Sequence, residues 1–293
     1  MKRQVDVELM GGIGNQLFQY FAAASLASKF NCEFRLVKSN RPQHRIFHIN
    51  SAIEDFVLTR PEGVTSVSYF EKHPKLTRVL YFGALRSKIV AKAATVFGFY
   101  VDSQYSRVRA KSRRIYLKGY FQRINNFDEL PFFLTGITLR NQSNWFNEIV
   151  RELENSDSVG IHLRLGDYLN LDESYGRLDY DYYTQALSLL PQNHGKILIF
   201  SDDIELAKVY FEAISEYNFE FVEPSDDSSA AESLILMSKC KHLIIANSTF
   251  SYWAALLAKK GNTIIYPRPW LRVEEPYSVV FPDCWIPVNS NLD

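Results

Sequence analysis

The residues best suited to bind an anion lie in the segment VGIHLRLGDY, residues 159–168. Its apolar residues alternate as in a β-strand, and Gly166 predicts a sharp turn where that strand ends. Arg164 stands just before the turn, and its guanidinium is a planar fork of donors that matches a carboxylate or a phosphate. His162 and Asp167 flank it. The segment predicts either an anion-binding site or a structural ion pair between Arg164 and an acidic side chain.

Two further polar clusters follow apolar, strand-like runs later in the chain. The first contains Ser201 and Asp202, and Asp202 is a candidate acceptor of hydrogen bonds from a base or a ribose. The second, NSTFS, consists of Asn247, Ser248, Thr249, Phe250 and Ser251. NSTFS precedes an apolar helical run, so its hydroxyls and backbone N–H groups are expected at a helix N-terminus, where the dipole favours an anion. The alternative is simple N-capping, the commoner use of Ser and Thr there.

Alternating strands and helices are expected to position these clusters. Apolar runs predict strands at 159–165, 196–200, 219–222, 243–246 and 263–266, with helices between most of them. Elements that alternate at this spacing form βαβ units around a parallel sheet. The carboxyl ends of parallel strands share one edge of the sheet, where ligands bind. The second half of the chain is therefore predicted to be a Rossmann-like domain with all three clusters at one edge.

The chain also begins with a predicted strand, a glycine-rich turn and a helix. The strand covers 5–9, the turn is GGIGN at 11–15, and Asn15 is the expected N-cap of the helix. Because glycines carry no side chain, the backbone of this turn lets an anion or a sugar approach closely. A dinucleotide fingerprint is disfavoured, because Leu17 takes the place of the third glycine and the second strand ends at Val37 without an acidic residue.

Charge is balanced overall but not along the chain. Lys plus Arg and Asp plus Glu number 33 each, which argues against a nucleic-acid partner. Between Lys72 and Arg123, however, thirteen basic residues face the single acid Asp102. Residues 76–97 in that stretch predict one basic amphipathic helix. Such a helix is usually a solvated surface, and the alternative is contact with an anionic membrane.

The chain shows neither a signal peptide nor an apolar run of the roughly 20 residues that span a bilayer, so a cytoplasmic location is expected. Cys32, Cys240 and Cys284 are far apart and are expected to be packing residues rather than a disulfide or a zinc site. A polar cluster at 155–158 follows a predicted helix and is the best boundary between domains. The expected domains are 1–155 and 156–293.

Four segments together resemble the bacterial α-1,2-fucosyltransferases of glycosyltransferase family 11. They are GGIGNQLFQY at 11–20, KGYFQ at 118–122, HLRLGDY at 162–168 and SKCKHLIIANSTFSYWAALL at 238–257. The resemblance implies an α/β fold of GT-B type, with two Rossmann-like domains facing an interdomain cleft. It implies that the C-terminal domain holds GDP-fucose, that the N-terminal domain presents the acceptor, and that transfer inverts the anomeric centre without a bound metal or other cofactor.

The resemblance also implies roles for individual residues. Arg164 would hold the donor diphosphate beside His162, and Asn15 with Gln16 would reach the reaction centre from the first domain. The full set expected to bind the donor is Gly14, Asn15, Gln16, His162, Arg164, Gly166, Ser201, Asp202, Asn247, Ser248, Thr249, Phe250 and Ser251. Leu165 departs from the family, which usually has a second arginine at this position, and this puts part of the leaving-group stabilisation in doubt.

The expected chemistry is the departure of GDP from the anomeric carbon of fucose. Fixed positive groups such as Arg164 stabilise the charge that builds on the diphosphate. A carboxylate must take the proton of the attacking hydroxyl, and Asp167 is the candidate base, although it is equally placed to pair with Arg164. Asp172 and Glu173 are weaker alternatives. The D-x-D sequence at 179–181 suggests a metal site, but helix capping is the preferred interpretation and no metal is expected.

The resemblance, together with these residues, implies a GDP-fucose dependent α-1,2-fucosyltransferase that acts on a terminal β-galactoside in surface glycan assembly. If the acceptor is lipid-linked, the basic segment would bring the enzyme to the inner face of the cytoplasmic membrane as a peripheral protein. One alternative is a transferase with another nucleotide sugar or linkage. Another is a catalytically inactive carbohydrate-binding protein, in which Leu165 marks the loss of activity.

Overall fold

The computed structural model describes residues 3–37, 52–58, 69–102, 104, 108, 114–123, 134–153, 156–165, 176–192, 194–212, 214, 216–272 and 279–292. The chain forms two compact units, 1–138 and 139–293. This division falls earlier than the boundary expected after residue 155. The helix Asn144–Leu153 packs on the helix Ala230–Lys239, so it belongs to the second unit.

The first unit is built on a parallel sheet. Its strands are β1 (Gln4–Glu8), β2 (Glu33–Val37), β3 (Phe56–Val57), β4 (Phe99–Tyr100) and β5 (Arg114–Lys118), and its helices are α1 (Ile13–Lys29), α2 (Tyr69–Lys72), α3 (Pro74–Arg86) and α4 (Lys88–Val96). A short 3₁₀ helix covers Ala52–Asp55, and β6 (Thr138–Leu139) lies at the boundary of the units. The main sheet has the order β2-β1-β5-β4, with all pairs parallel.

Helix α1 begins earlier than its sequence suggests. Gly12, not Asn15, is the N-cap residue, and it makes no side-chain capping bond. Asn15 therefore lies inside the first turn, and the N-cap prediction for it is wrong. Gly11 just before the helix has a φ of +72°, a conformation that favours glycine. The tight turn places the start of the helix directly after β1.

The helix predicted over 76–97 is two helices, α3 and α4. Ser87 between them has an extended backbone, and its hydroxyl accepts a hydrogen bond from Val90 N, which caps α4. A Cβ at Gly83 would lie 3.0 Å from Val90 Cγ1, so glycine lets the helices approach closely there. Their buried faces contribute Tyr81, Ala84, Ala91 and Ala94 to one core cluster against the sheet.

The second unit is a doubly wound parallel sheet, as predicted. Its strands are β7 (Val159–Leu163), β8 (Ile197–Ser201), β9 (Phe219–Phe221), β10 (His242–Ile244), β11 (Thr263–Arg268) and β12 (Ile286–Asn289). Its helices are α5 (Asn144–Leu153), α6 (Tyr180–Ser188), α7 (Ile204–Glu212), α8 (Ala230–Lys239) and α9 (Thr249–Leu257). The order β12-β11-β10-β7-β8-β9 reverses direction between β7 and β10. Ligands bind at the carboxyl side of such a reversal.

Helix α6 fixes the two strands on either side of that reversal. Tyr183 Oη donates a hydrogen bond of 3.0 Å to His162 O at the end of β7. The preceding residue, Tyr182, donates a hydrogen bond of 2.6 Å to Ile245 O just after β10. Both rings are fully buried in the core of this unit. The backbone beneath the reversal is therefore held by two buried hydrogen bonds from one helix.

No helix in the described ranges is both long and apolar enough to cross a bilayer. The cysteines are free, and only part of the packing prediction holds for them. Cys240 is buried and Cys32 is partly buried, whereas Cys284 is exposed. Cys284 lies in the turn before β12 and is a surface residue.

Candidate functional site

Three polar segments meet at the carboxyl edge of the second sheet. Strand β7 lies between β8 and β10, with Leu163 opposite Ser201 and Ile161 opposite Ile244. The residues that follow these three strands therefore occupy adjacent positions on one edge. The structure brings together the segments that carry Arg164, Asp202 and NSTFS, at the place where the strand order reverses.

Arg164 forms an ion pair with Asp202. Its Nη1 lies 3.3 Å from Asp202 Oδ2, and the side chains are 23% and 22% exposed. The other carboxylate oxygen, Asp202 Oδ1, accepts a hydrogen bond of 2.9 Å from Leu165 N. Asp202 therefore holds the Arg164 guanidinium against the backbone that directly follows β7. The pair keeps part of the guanidinium in contact with solvent at the sheet edge, where an anion can reach it.

His162 links this pair to the start of α9. Its buried ring stacks on Phe250 with a centroid distance of 5.2 Å and an interplanar angle of 27°. Its Nδ1 is buried and has no hydrogen-bond partner in the described part of the chain. Burial, together with the positive charge of Arg164, lowers the pKa of His162 to about 3, although Asp202 opposes that shift. The imidazole is therefore neutral at physiological pH.

Most of the NSTFS side chains stabilise the local backbone. Ser248 Oγ caps α9 by accepting from Phe250 N at 3.3 Å. Ser251 Oγ donates to Ala246 O at 3.1 Å, and Asn247 Nδ2 donates to Gly176 O at 3.3 Å. The resemblance implied that Asn247 and Ser251 bind the donor, but both side chains are buried and hydrogen-bonded within the fold. Short polar side chains beside a helix start often satisfy backbone groups in this way.

Ser201 is another residue whose hydroxyl serves the local turn. Ser201 Oγ lies 3.1 Å from both Asp203 O and Asp203 N, so it closes the turn after β8. Asp203 Oδ1 then accepts from Leu206 N at 3.0 Å at the start of α7. The expectation that Ser201 binds the donor receives no support from these contacts. Thr249 and Phe250 remain partly exposed at the start of α9.

The first unit has a different polar group at the ends of β1 and β5. Gln19 accepts from Met10 N at 2.9 Å and donates to Met10 O at 3.2 Å and Gly119 O at 2.8 Å. It joins the segments that follow the two strands. Sequence reasoning did not single out this buried glutamine, although Gln19 lies in GGIGNQLFQY, one of the four segments that carry the resemblance.

The side chains of Asn15 and Gln122 form an amide pair in the first unit. Gln122 Nε2 donates to Asn15 Oδ1 at 2.8 Å. Asp102 Oδ1 accepts from Phe121 N, which holds the KGYFQ segment in the position this pair needs. Neither Asp102 nor Gln122 was identified as a site residue from the sequence. The matching of KGYFQ to a family segment was the available signal for Gln122.

Gln16 does not have the side-chain placement expected of a donor ligand. It is fully buried, donates to Gly11 O at 3.0 Å and accepts from Ile53 N at 3.1 Å. These bonds hold the glycine turn and the 3₁₀ helix against α1, so Gln16 has a structural use. Gly14 is buried in the first turn of the same helix.

Comparison of the sequence with known proteins identifies its family. Residues 101–277 match the profile of glycosyl transferase family 11. The chain is 30% identical to the O-antigen biosynthesis glycosyltransferase WbnK of Escherichia coli, over 95% of this chain and 98% of that protein. The chain belongs to glycosyl transferase family 11.

A second relative agrees with that assignment, and a solved structure shares the fold. The family 11 chain is 28% identical to an α-1,2-colitosyltransferase of Escherichia coli, over 98% of this chain and 99% of that protein. It resembles in fold the crystal structure of NodZ α-1,6-fucosyltransferase soaked with GDP-fucose, with a TM-score of 0.56, 15% identity, and coverage of 88% of this chain and 93% of the other. The predicted α/β fold of GT-B type, with Rossmann-like units, is confirmed.

The family context clarifies one departure in this glycosyltransferase. Leu165, which stands where a second arginine is usual, is 4% exposed and belongs to the hydrophobic core of the unit. Its backbone N–H, not its side chain, contacts the site through Asp202. Arg164 is thus the cationic side chain that this strand end offers. Gly166, Asp167, Asp172 and Glu173 lie outside the described residues, so the assignment of a catalytic base stays a prediction.

The D-x-D sequence of this glycosyltransferase has a structural use at its first residue. Asp179 is the N-cap of α6, and its Oδ1 accepts from Tyr182 N at 2.9 Å. Asp181 lies in the first turn of the same helix, where a negative charge is favoured by the dipole. The capping interpretation is confirmed for Asp179.

Proposed function

We propose that this family 11 glycosyltransferase moves L-fucose from GDP-β-L-fucose to the 2-hydroxyl of a terminal β-galactoside in surface glycan assembly. The observation that carries the proposal is the placement of Arg164 at the strand reversal, held by Asp202 next to the stacked pair His162 and Phe250. The likeness to proteins named as O-antigen and α-1,2-linking transferases supports the acceptor and linkage.

The chemistry asks for charge stabilisation at the leaving group. The bond from the anomeric carbon to the GDP oxygen breaks, and the electron pair leaves with GDP. Arg164 stabilises the growing charge on the diphosphate, and the positive end of α9 lies beside it. Because Asp202 has already oriented the guanidinium, little reorganisation is needed when the charge develops.

The acceptor side needs proton transfer and orientation. The 2-hydroxyl oxygen of galactose forms the new bond to the anomeric carbon on the face opposite GDP, which inverts that centre. Its proton passes to a carboxylate, for which Asp167 remains our candidate. His162 is unsuited to carry a positive charge here, because burial keeps its imidazole neutral. We assign it to packing Phe250 at the donor side.

The donor assignment is tested with Arg164→Ala. Transfer to a β-galactoside should fall by on the order of a hundredfold or more, as when one transition-state donor is removed, and GDP affinity should also fall. Product formation by NMR and GDP titration by calorimetry measure the two effects. Arg151→Ala, which removes an exposed arginine of α5, is the matched control and should change neither. Near-normal turnover in Arg164→Ala would refute the donor site.

A second donor is favoured by one specific observation. The relative named as an α-1,2-colitosyltransferase aligns with almost the whole chain, so GDP-colitose is an alternative donor. Competition between GDP-fucose and GDP-colitose at equal concentration, with the products separated by mass, distinguishes the two. Turnover with either donor would exclude the alternative of an inactive carbohydrate-binding protein.

We also propose that transfer needs no metal. The capping bond of Asp179 gives the D-x-D sequence a structural explanation, which supports this proposal. Activity should be retained in EDTA. A loss that manganese restores would contradict it.

A further inference from the structure

The two helices α3 and α4 expose an unusual number of apolar side chains. The residues that are more than half exposed are Val79 (68%), Leu85 (54%), Ile89 (81%), Val96 (81%) and Phe97 (73%). Single exposed apolar residues are common on protein surfaces, but a continuous group of them marks an interaction surface. We call this group, with the basic residues described next, the α3–α4 face.

Basic side chains surround these apolar residues. They are Lys75, Arg78, Arg86, Lys88 and Lys92, all of them exposed. The sequence from 73 to 101 contains no Asp or Glu. The α3–α4 face therefore combines apolar groups with uniformly positive charge. This composition matches helices that lie in the interface of an anionic membrane.

The exposed residues are not part of an unfinished core. The opposite sides of both helices are buried in one cluster, through Tyr81 and Ala84 on α3 and through Ala91 and Ala94 on α4. Because both helices bury one side against the same sheet, their other sides face outward together. The close contact of Gly83 with Val90 holds the helices against each other. The α3–α4 face is thus presented on a packed pair of helices.

We propose that the α3–α4 face docks this protein on an anionic lipid surface, with apolar side chains entering the headgroup region and basic side chains contacting lipid phosphates. Charge complementarity selects this occupant. A second copy of the chain would bring two uniformly positive faces together, which Coulomb repulsion disfavours. This inference concerns binding alone and does not depend on the donor or acceptor proposed above.

Vesicle sedimentation of the full chain tests the proposal. The protein should bind vesicles of phosphatidylethanolamine with phosphatidylglycerol and should bind phosphatidylcholine vesicles weakly, and high salt should weaken the anionic binding. Ile89→Ser with Val96→Ser should lower the partition coefficient by about tenfold or more, because two apolar side chains no longer leave water. Lys88→Gln with Lys92→Gln should lower it by roughly tenfold and reduce its salt dependence.

The matched control is Leu206→Ser with Val209→Ser on α7. These residues are also exposed, at 44% and 63%, but Glu205 and Glu212 accompany them on that helix. This pair should leave vesicle binding unchanged, and transfer to a soluble β-galactoside should be unchanged in the α3–α4 variants. Absent binding, or equal loss in the α7 control, would overturn the proposal. A wild-type dimer that Ile89→Ser with Val96→Ser converts to a monomer, without vesicle binding, would identify a self-association surface instead.

Discussion

The two units place different chemistry at the carboxyl ends of neighbouring parallel strands. In the second unit the ends of β7 and β8 carry a charged pair, Arg164 with Asp202. In the first unit the ion pair at the ends of β1 and β5, Glu8 with Lys118, is buried, and the polar groups beyond it are neutral amides, Gln19 and the pair Asn15 with Gln122. Guanidinium groups suit phosphate, and amides suit hydroxyl groups that both donate and accept. The second unit thus keeps a partly exposed charged pair at its strand ends, whereas the first unit buries its charges and uses amides beyond them.

The largest expected effect concerns the amide group of the first unit. Gln19→Leu should lower the free energy of unfolding by about 3 kcal/mol, because Met10 N–H, Met10 O and Gly119 O would lose a buried partner. Urea unfolding measures the change. Gln185→Leu on the exposed side of α6 is the control and should change stability little. Equal stability of Gln19→Leu and wild type would show that this network does not organise the first unit.

The next prediction tests the charged pair of the second unit, Arg164 with Asp202. Arg164→Lys keeps the positive charge but loses the planar fork that holds Asp202 and would hold a diphosphate. Transfer should fall by on the order of a hundredfold, and GDP affinity by about tenfold. Steady-state kinetics and calorimetry provide the values. If lysine supports full transfer, charge alone matters at this edge and the geometry of the pair does not.

The lowered pKa of His162 predicts that the second unit becomes less stable at acidic pH. Its folded-state pKa of about 3 lies below the usual value of 6.5, so the unfolded state binds the extra proton first. The stability from this group is complete above the usual pKa and is lost as pH falls from there towards 3. Between pH 7 and pH 5 the loss should be about 2 kcal/mol.

His162→Phe isolates this contribution, because phenylalanine keeps a ring against Phe250 and cannot take up a proton. The free energy of unfolding is measured for both proteins across the same pH range. The loss between pH 7 and pH 5 that comes from this group should appear in the wild type and be absent from His162→Phe. If the free energies of unfolding of the two proteins change in parallel with pH, the pKa of His162 is the same in the folded and unfolded states.

The smallest effect concerns the pair of Asn15 with Gln122. Gln122→Ala removes one hydrogen bond of 2.8 Å and should raise the acceptor KM by a few fold to about tenfold, with GDP affinity unchanged. Combining it with Asn15→Ala in a double-mutant cycle measures their coupling. A change in GDP affinity instead would assign this pair to the donor and weaken the contrast between the units.

Sequence periodicity predicted most of the second sheet, because five of its strands contain short apolar runs bounded by polar residues. The same rule placed Arg164, Asp202 and Ser248 at one edge. It did not predict β12, since the sequence IPVN contains a proline and only four residues. Nor did it predict the break at Ser87, because a serine within an amphipathic pattern is compatible with either a continuous helix or a cap.

The use of each polar side chain was less predictable than its position. Asn247 bonds to Gly176 O, a partner 71 positions away in the chain, and Gln16 bonds to Ile53 N, 37 positions away. Such partners are backbone groups, so no residue type signals them. A motif therefore identified the correct strand ends but could not separate the side chains that build the turns from those left to meet a ligand.

Adjacent tyrosines on α6 have a consequence for how sugar preference can vary. Tyr182 bonds to the carbonyl just after β10, and Tyr183 bonds to the His162 carbonyl near the end of β7. The distance between these two strand ends therefore cannot change without breaking a buried hydrogen bond. In the donor site that we propose, relatives that keep both hydroxyls should share one spacing for the diphosphate. Their discrimination between fucose and a deoxygenated analogue would then have to arise in the surrounding loops, where substitution carries little penalty for folding.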